Sequence, residues 1–205
     1  MKFGFTSLCV AAFTLCCGFL SAVGTEDQLV DPSTKLVFPK EVTFSSGGHD
    51  YHLSATGVAT RKKFIVKVYS VAHYLQDPAA IHGSDKFQAI LDSDQAKQLT
   101  LQFDRALTPQ QIQEAYRESL EKEMSQSEQK QLQPQIDAFI KLFSNGMKKG
   151  DEQVMRWLPD GQLEILVNGN LLSTIGNAQF AKFVWAIWLG SHSVVDRNAL
   201  ISLLP

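Results

Sequence analysis

Cysteine is nearly missing from this chain, and the three that occur, Cys9, Cys16 and Cys17, all fall within the first 17 residues. Beyond them no thiol is left, so a disulfide framework, thiolate catalysis and Cys-bound metal are excluded for the rest of the protein. An excess of positive charge is also lacking. The chain carries 19 basic and 21 acidic residues, and the basic ones are scattered, which argues against a nucleic-acid partner. Gly-rich phosphate cradles, a Ser-His-Asp order and paired catalytic carboxylates are not recognisable. His49 and His52 have a spacing that suits a metal, but without carboxylate or thiolate support they make a weak site, and neither a metal nor a cofactor is expected.

What the sequence does have begins at its first residues. Lys2 precedes an apolar run from Phe3 to Leu20, followed by Ser21-Ala22-Val23-Gly24 and the acidic Glu26-Asp27. Charge, apolar run and small residues in that order predict a secretory signal over residues 1–24, cleaved after Gly24, and hence a periplasmic or secreted protein. The rival reading is a membrane anchor, since the run of about 18 residues is at the lower limit for a span. After cleavage, residues 25–205 hold 18 basic and 21 acidic residues, a net charge of −3, in a length suited to one domain with a single core. No membrane span is expected in this mature part.

Leu36 to Phe44 reads as a strand with an edge-type Pro39, turned by Ser45-Ser46-Gly47-Gly48. Tyr51 to Thr60 and Phe64 to Leu75 form a hairpin about a Lys62-Lys63 turn, a register that opposes Arg61 to Phe64 and Tyr69 to Thr56. Asp77-Pro78 ends the pair, and short helical turns are expected up to Gln95. Lys97 to Phe103 alternates as a half-buried strand. Thr108, Pro109 and Gln111 open a helix with a capping box, whose inner stripe is Ile112, Ala115, Tyr116, Ser119 and Leu120. A polar break over Ser125 to Gln133 precedes a second helix from Pro134 to Ser144. Val154 to Leu158, Leu163 to Val167 and Leu171 to Ile175 read as strands joined at Asp160-Gly161 and Asn168-Gly169. Asn177 caps an apolar helix ending at Gly190, and Ser193 with Asp196 caps a last helix to Leu204.

The segments Gly57-Val58-Ala59-Thr60-Arg61 and Lys67-Val68-Tyr69-Ser70-Val71-Ala72-His73-Tyr74-Leu75, the Leu107-Thr108 helix opening, Pro159-Asp160-Gly161 and Trp185-Ala186-Ile187-Trp188-Leu189-Gly190 come in one order across the mature chain. In this the sequence resembles the bacterial branch of the chalcone isomerase-like family. The resemblance implies an α+β fold, an open-faced β-sandwich in which a large antiparallel sheet is covered by helices with a ligand cleft between. Plant enzymes of the family close a flavanone ring by intramolecular addition, while related non-enzymatic members bind fatty acids.

Carried over position by position, the resemblance places Arg61 where the enzymes hold a cation for the phenolate. Tyr69 stands where they hold a Thr, which is similar to the fatty-acid-binding branch, where Arg and Tyr together hold a carboxylate. Ile112 and Ser119 stand at the helix positions of a Tyr and an Asn, and Ile187 at that of a Thr. Loss of one preorganised oxyanion donor costs on the order of a hundredfold in rate, so these replacements argue against efficient ring closure. The expected role is binding of an amphipathic apolar ligand such as a fatty acid, with Arg61, Tyr69, Thr56, Tyr116, Ser119, Ile112, Ile187 and Trp188 as its contacts and no catalytic residue. An intramolecular lyase and a cell-envelope interaction module are the alternatives. Four of these contacts also have a plainer reading: Arg61 as a hairpin-tip cation, and Tyr69, Tyr116 and Trp188 as core.

Overall fold

A computed structural model describes residues 27–205, so the expected signal segment lies outside the described residues. Seven strands form one antiparallel sheet in chain order: β3 (Glu41–Ser46), β4 (His49–Lys63), β5 (Val66–Leu75), β6 (Lys97–Phe103), β7 (Glu152–Trp157), β8 (Gln162–Val167) and β9 (Asn170–Gly176). A separate ribbon pairs β1 (Gln28–Val30) with β2 (Val37–Pro39). A 3-10 turn at Pro78–Ala80 and helix α1 (Lys86–Asp92) link β5 to β6. Between β6 and β7 come α2 (Pro109–Glu123), α3 (Gln126–Gln131) and α4 (Gln133–Lys141), and the chain closes with α5 (Ala178–Leu189) and α6 (Arg197–Leu200).

The strict alternation of β5 and β6 explains the layering. Val71, Leu75, Leu99, Leu101 and Phe103 meet Ile112, Tyr116, Leu120, Phe139, Val184 and Trp188 of the helices in the larger core. Ala72 and Tyr74 point the opposite way, where the β1–β2 ribbon covers them with Phe38. The sheet curls so strongly that Phe44 on β3 lies under the Arg156 guanidinium of β7, 4.0 Å from ring centroid to Cζ. This α+β arrangement agrees with the expectation from sequence.

Local chemistry sets most boundaries where the sequence puts them. Thr108 and Gln111 make the reciprocal capping box of α2, and Asn177 accepts from the Phe180 N–H to start α5. Other boundaries differ. The expected strand from Leu36 to Phe44 breaks at Lys40, whose backbone N–H and C=O bond to Asp27 and Ala55. The expected polar break after Ser125 contains α3, opened by a Ser125–Glu128 capping box. The last helix stops at Leu200, because the Leu203 N–H bonds to the Thr56 carbonyl of β4. Asp196 caps that helix, whereas the Ser193 hydroxyl bonds to the Trp188 and Val195 carbonyls. Gly57 is required where this tail crosses β4: an added Cβ would stand 2.1 Å from the Ala199 carbonyl oxygen.

The hairpin register also differs. β4 runs on through Lys63, which pairs with Val66, so the turn is Phe64-Ile65 and not Lys62-Lys63. Phe64 takes a left-handed φ of 57° to make it. With a bulge beside Lys62, Arg61 now faces Tyr69 directly, and neither Arg61–Phe64 nor Thr56–Tyr69 is a pair.

Candidate functional site

Arg61 on β4, Tyr69 on β5 and Phe103 on β6 lie side by side at one end of the sheet, since Arg61 pairs with Tyr69 and Tyr69 with Phe103. Above them pass α2, which brings Ile112, Tyr116 and Ser119, and the end of α5, which brings Ile187. Together these side chains enclose a cavity of about 330 Å³, completed by Leu107 and Val194. That volume lies at the lower end of the 300–1,000 Å³ usual for small-molecule sites. A second hollow of about 410 Å³ beside Asp31 and Val195 is a shallow groove without an aromatic wall.

The polar groups sit at the edge of the cavity. The Arg61 guanidinium donates one bond to the Val194 carbonyl at 2.6 Å and has no carboxylate partner among the described residues. The Tyr69 hydroxyl accepts from the Trp188 indole N–H at 3.0 Å, while its own proton has no acceptor among the described residues. Burial pushes the Tyr69 phenol up to about 12 against the opposing pull of Arg61 and the Trp188 bond, so it remains a neutral donor at physiological pH. Arg61, Lys63, Arg105 and Lys122 line the cavity against one carboxylate, Glu118. An apolar slot with a guanidinium, a free phenolic O–H and a cationic rim has the chemistry to hold an amphipathic anion.

Six of the eight expected contacts therefore line one cavity: Arg61, Tyr69, Tyr116, Ser119, Ile112 and Ile187. The Tyr116 phenol is committed, donating to the Gln153 side chain at 2.8 Å, and burial raises its pKa well above the ordinary tyrosine value. The Ser119 hydroxyl donates to the Ala115 carbonyl one turn back. Trp188 stands behind the cavity as the donor that orients Tyr69.

Thr56 is elsewhere, because the true register pairs Tyr69 with Arg61. Thr56 is fully buried toward the other end of the strand pair, 2.7 Å from the His73 Nδ1, and donates to the Leu200 carbonyl at 2.7 Å. The Trp185 N–H donates to His73 Nε2 at 3.2 Å. Nε2 must then be the acceptor nitrogen, so Nδ1–H donates to Thr56. Burial first, and the nearby Lys97 second, depress the His73 pKa to about 3.

Sequence reasoning missed the cationic rim of Lys63, Arg105 and Lys122, and the Val194 carbonyl that orients Arg61. The rim gathers charges from β4, the β6–α2 loop and α2, which no local spacing connects. No cluster of potential metal ligands occurs among the described residues, and no helix there is long and apolar enough to cross a membrane.

The fold is similar to the crystal structure of a fatty-acid binding protein from Arabidopsis thaliana, with a TM-score of 0.72 at 16% sequence identity over 86% of this chain and 95% of that one. No curated protein matches the sequence. The profile described as chalcone isomerase-like matches residues 35–200, which takes in the whole seven-stranded sheet, the helical layer and every residue of the cavity, and the chain belongs to the chalcone isomerase-like family.

Proposed function

We propose that this protein is an exported, non-catalytic carrier that holds an amphipathic carboxylate such as a fatty acid in the cavity between sheet and helices. The observation that carries the reading is the direct pairing of Arg61 with Tyr69 at the cavity edge, each with donors left over for a ligand oxygen. A carboxylate takes a charge-assisted bond from the guanidinium and a second bond from the phenol, while the chain lies against Phe103, Ile112 and Ile187. The Arabidopsis relative in fold, a fatty-acid binding protein, supports the ligand class.

The non-catalytic part rests on what the cavity presents to a substrate. Ile112 and Ile187 offer no hydrogen bond, Ser119 spends its proton on its own helix, and both cavity tyrosines hold their protons at neutral pH. Of these groups only the Tyr69 O–H is left free to meet a developing enolate, and the helix side offers it no further donor. Export is supported by Lys2, the apolar Phe3–Leu20 run and the small Ala22 and Gly24, and cell fractionation with N-terminal sequencing tests it.

Gentle purification followed by native mass spectrometry tests the ligand. The expected result is copurifying lipid carboxylate, together with a higher melting temperature when a long-chain fatty acid is added to stripped protein. A clean apo spectrum with an unmoved melting temperature contradicts the proposal, and so does chalcone turnover that Arg61→Ala abolishes.

A further inference from the structure

The β4–β5 hairpin ends in two large apolar side chains that touch almost nothing. Phe64 is 92% exposed and Ile65 93%, with Val66 beside them at 42%, whereas the other exposed large hydrophobics among the described residues stand at 56% or less. The residues leading to and from this tip are Arg61, Lys62, Lys63 and Lys67, and no acidic residue occurs anywhere in 51–76. The neighbouring strand end adds Arg105 and Lys149 together with the carboxylates Asp104, Asp151 and Glu152, of which Asp104 is paired with Lys149 at 3.6 Å. A protein with a small net negative charge thus sets four cations and no carboxylate at the hairpin end that carries the most exposed apolar point among the described residues. That point adjoins the cavity, since Lys63, next to Phe64, and Val68 both line it.

We infer that this tip is a membrane-docking element, with Phe64 and Ile65 entering the acyl boundary of an anionic lipid surface and the exposed Lys62 and Lys63 lying at the headgroups. The shape favours lipid over protein. Two side chains on a convex turn present far less than the roughly 800 Å² per partner of a stable protein interface. A second copy packed tip to tip would oppose lysine to lysine. A bilayer instead accepts a small apolar wedge and attracts its basic collar. Docked this way, Lys63 on the cavity lining stands next to the surface from which an amphipathic ligand would come. The docking itself rests on the hairpin alone and does not need the carrier reading.

Cosedimentation with phosphatidylcholine vesicles containing about one-third phosphatidylglycerol tests the inference, against pure phosphatidylcholine vesicles. The wild-type protein is expected to bind the anionic vesicles, several-fold more weakly as salt rises from low to about physiological strength, and to bind the neutral ones little. The double variant Phe64→Ser, Ile65→Ser is expected to lose on the order of a hundredfold in partitioning. It should keep its melting transition and its fatty-acid affinity in vesicle-free solution, since neither residue reaches the core or the cavity. Absence of wild-type binding, equal binding by the variant, or a wild-type dimer that the variant converts to monomer each overturns the inference. Loss of fatty-acid binding with vesicle binding intact would instead contradict the carrier reading alone.

Discussion

The β4–β5 strand pair carries two polar constellations whose outcomes are opposite. At one end Thr56, His73 and the Trp185 indole form a chain in which every donor and acceptor is used, sealed by the Leu200 carbonyl. At the other end Arg61, Tyr69 and the Trp188 indole form a similar chain that stops short, leaving guanidinium and phenol donors unspent beside a cavity. Both ends join a hairpin polar group to a tryptophan of α5. The difference is what lies over them: the C-terminal tail over Thr56, an opening bounded by α2 over Arg61. A buried polar chain that is complete holds a fold together, and one that is incomplete is available to a ligand.

The sharpest way to break the closed end is to push the tail away. Gly57→Ala sets a Cβ against the Ala199 and Leu200 backbone, and is expected to cost about 3–5 kcal/mol of stability, read by chemical denaturation.

Acid should act at the same end. His73 is buried in its neutral form with its pKa lowered from 6.5 to about 3, so the unfolded chain takes up the proton first. The His73 contribution is therefore intact above about pH 6.5 and is lost as pH falls toward about 3, at up to about 1.4 kcal/mol per pH unit. Lys97, fully buried with its ammonium 3.8 Å from the centre of the Trp157 ring, titrates at about 7 instead of 10.5. Its neutral form is favoured on folding, so stability should rise with pH between those values and Lys97→Met should flatten that rise.

A pair of single variants then separates the two ends. Arg61→Ala is expected to weaken fatty-acid binding about ten- to a hundredfold, measured by calorimetry, with little change in melting temperature. Thr56→Val should do the reverse, losing about 1–3 kcal/mol of stability by orphaning the His73 N–H and the Leu200 carbonyl while ligand affinity stays near wild type. Equal effects of both variants on both measurements would dissolve the distinction. The smallest effect is expected at the tip: Phe64→Gly relieves the left-handed turn and should raise stability by about 1 kcal/mol or less.

The same strand pair shows what the sequence makes legible. Caps that work through neighbours in the chain, at Thr108, Asn177 and Asp196, could be read directly, and so could the alternation of β6. Six of the eight expected contacts meet in the cavity because strand order and helix stripe determine most of the layout. Thr56 lies outside the cavity because of one turn. Phe and Ile have strand propensity and no turn chemistry, so Lys62-Lys63 looked like the better reversal, and the resulting slip moved Thr56 opposite Tyr69. The Ser125–Glu128 box that starts α3 was readable but obscured by the glutamine-rich run around it. The cationic rim and the tail over Gly57 depend on contacts between distant parts of the chain, which periodicity does not encode.

The most direct test of the open end is calorimetric titration of stripped protein with a long-chain fatty acid and, separately, with its methyl ester. If Arg61 and Tyr69 receive a carboxylate, the acid binds at least about tenfold more tightly, and Arg61→Ala removes most of that preference. Equal affinity for acid and ester, unchanged by Arg61→Ala, would show that the pair takes no part in holding the ligand.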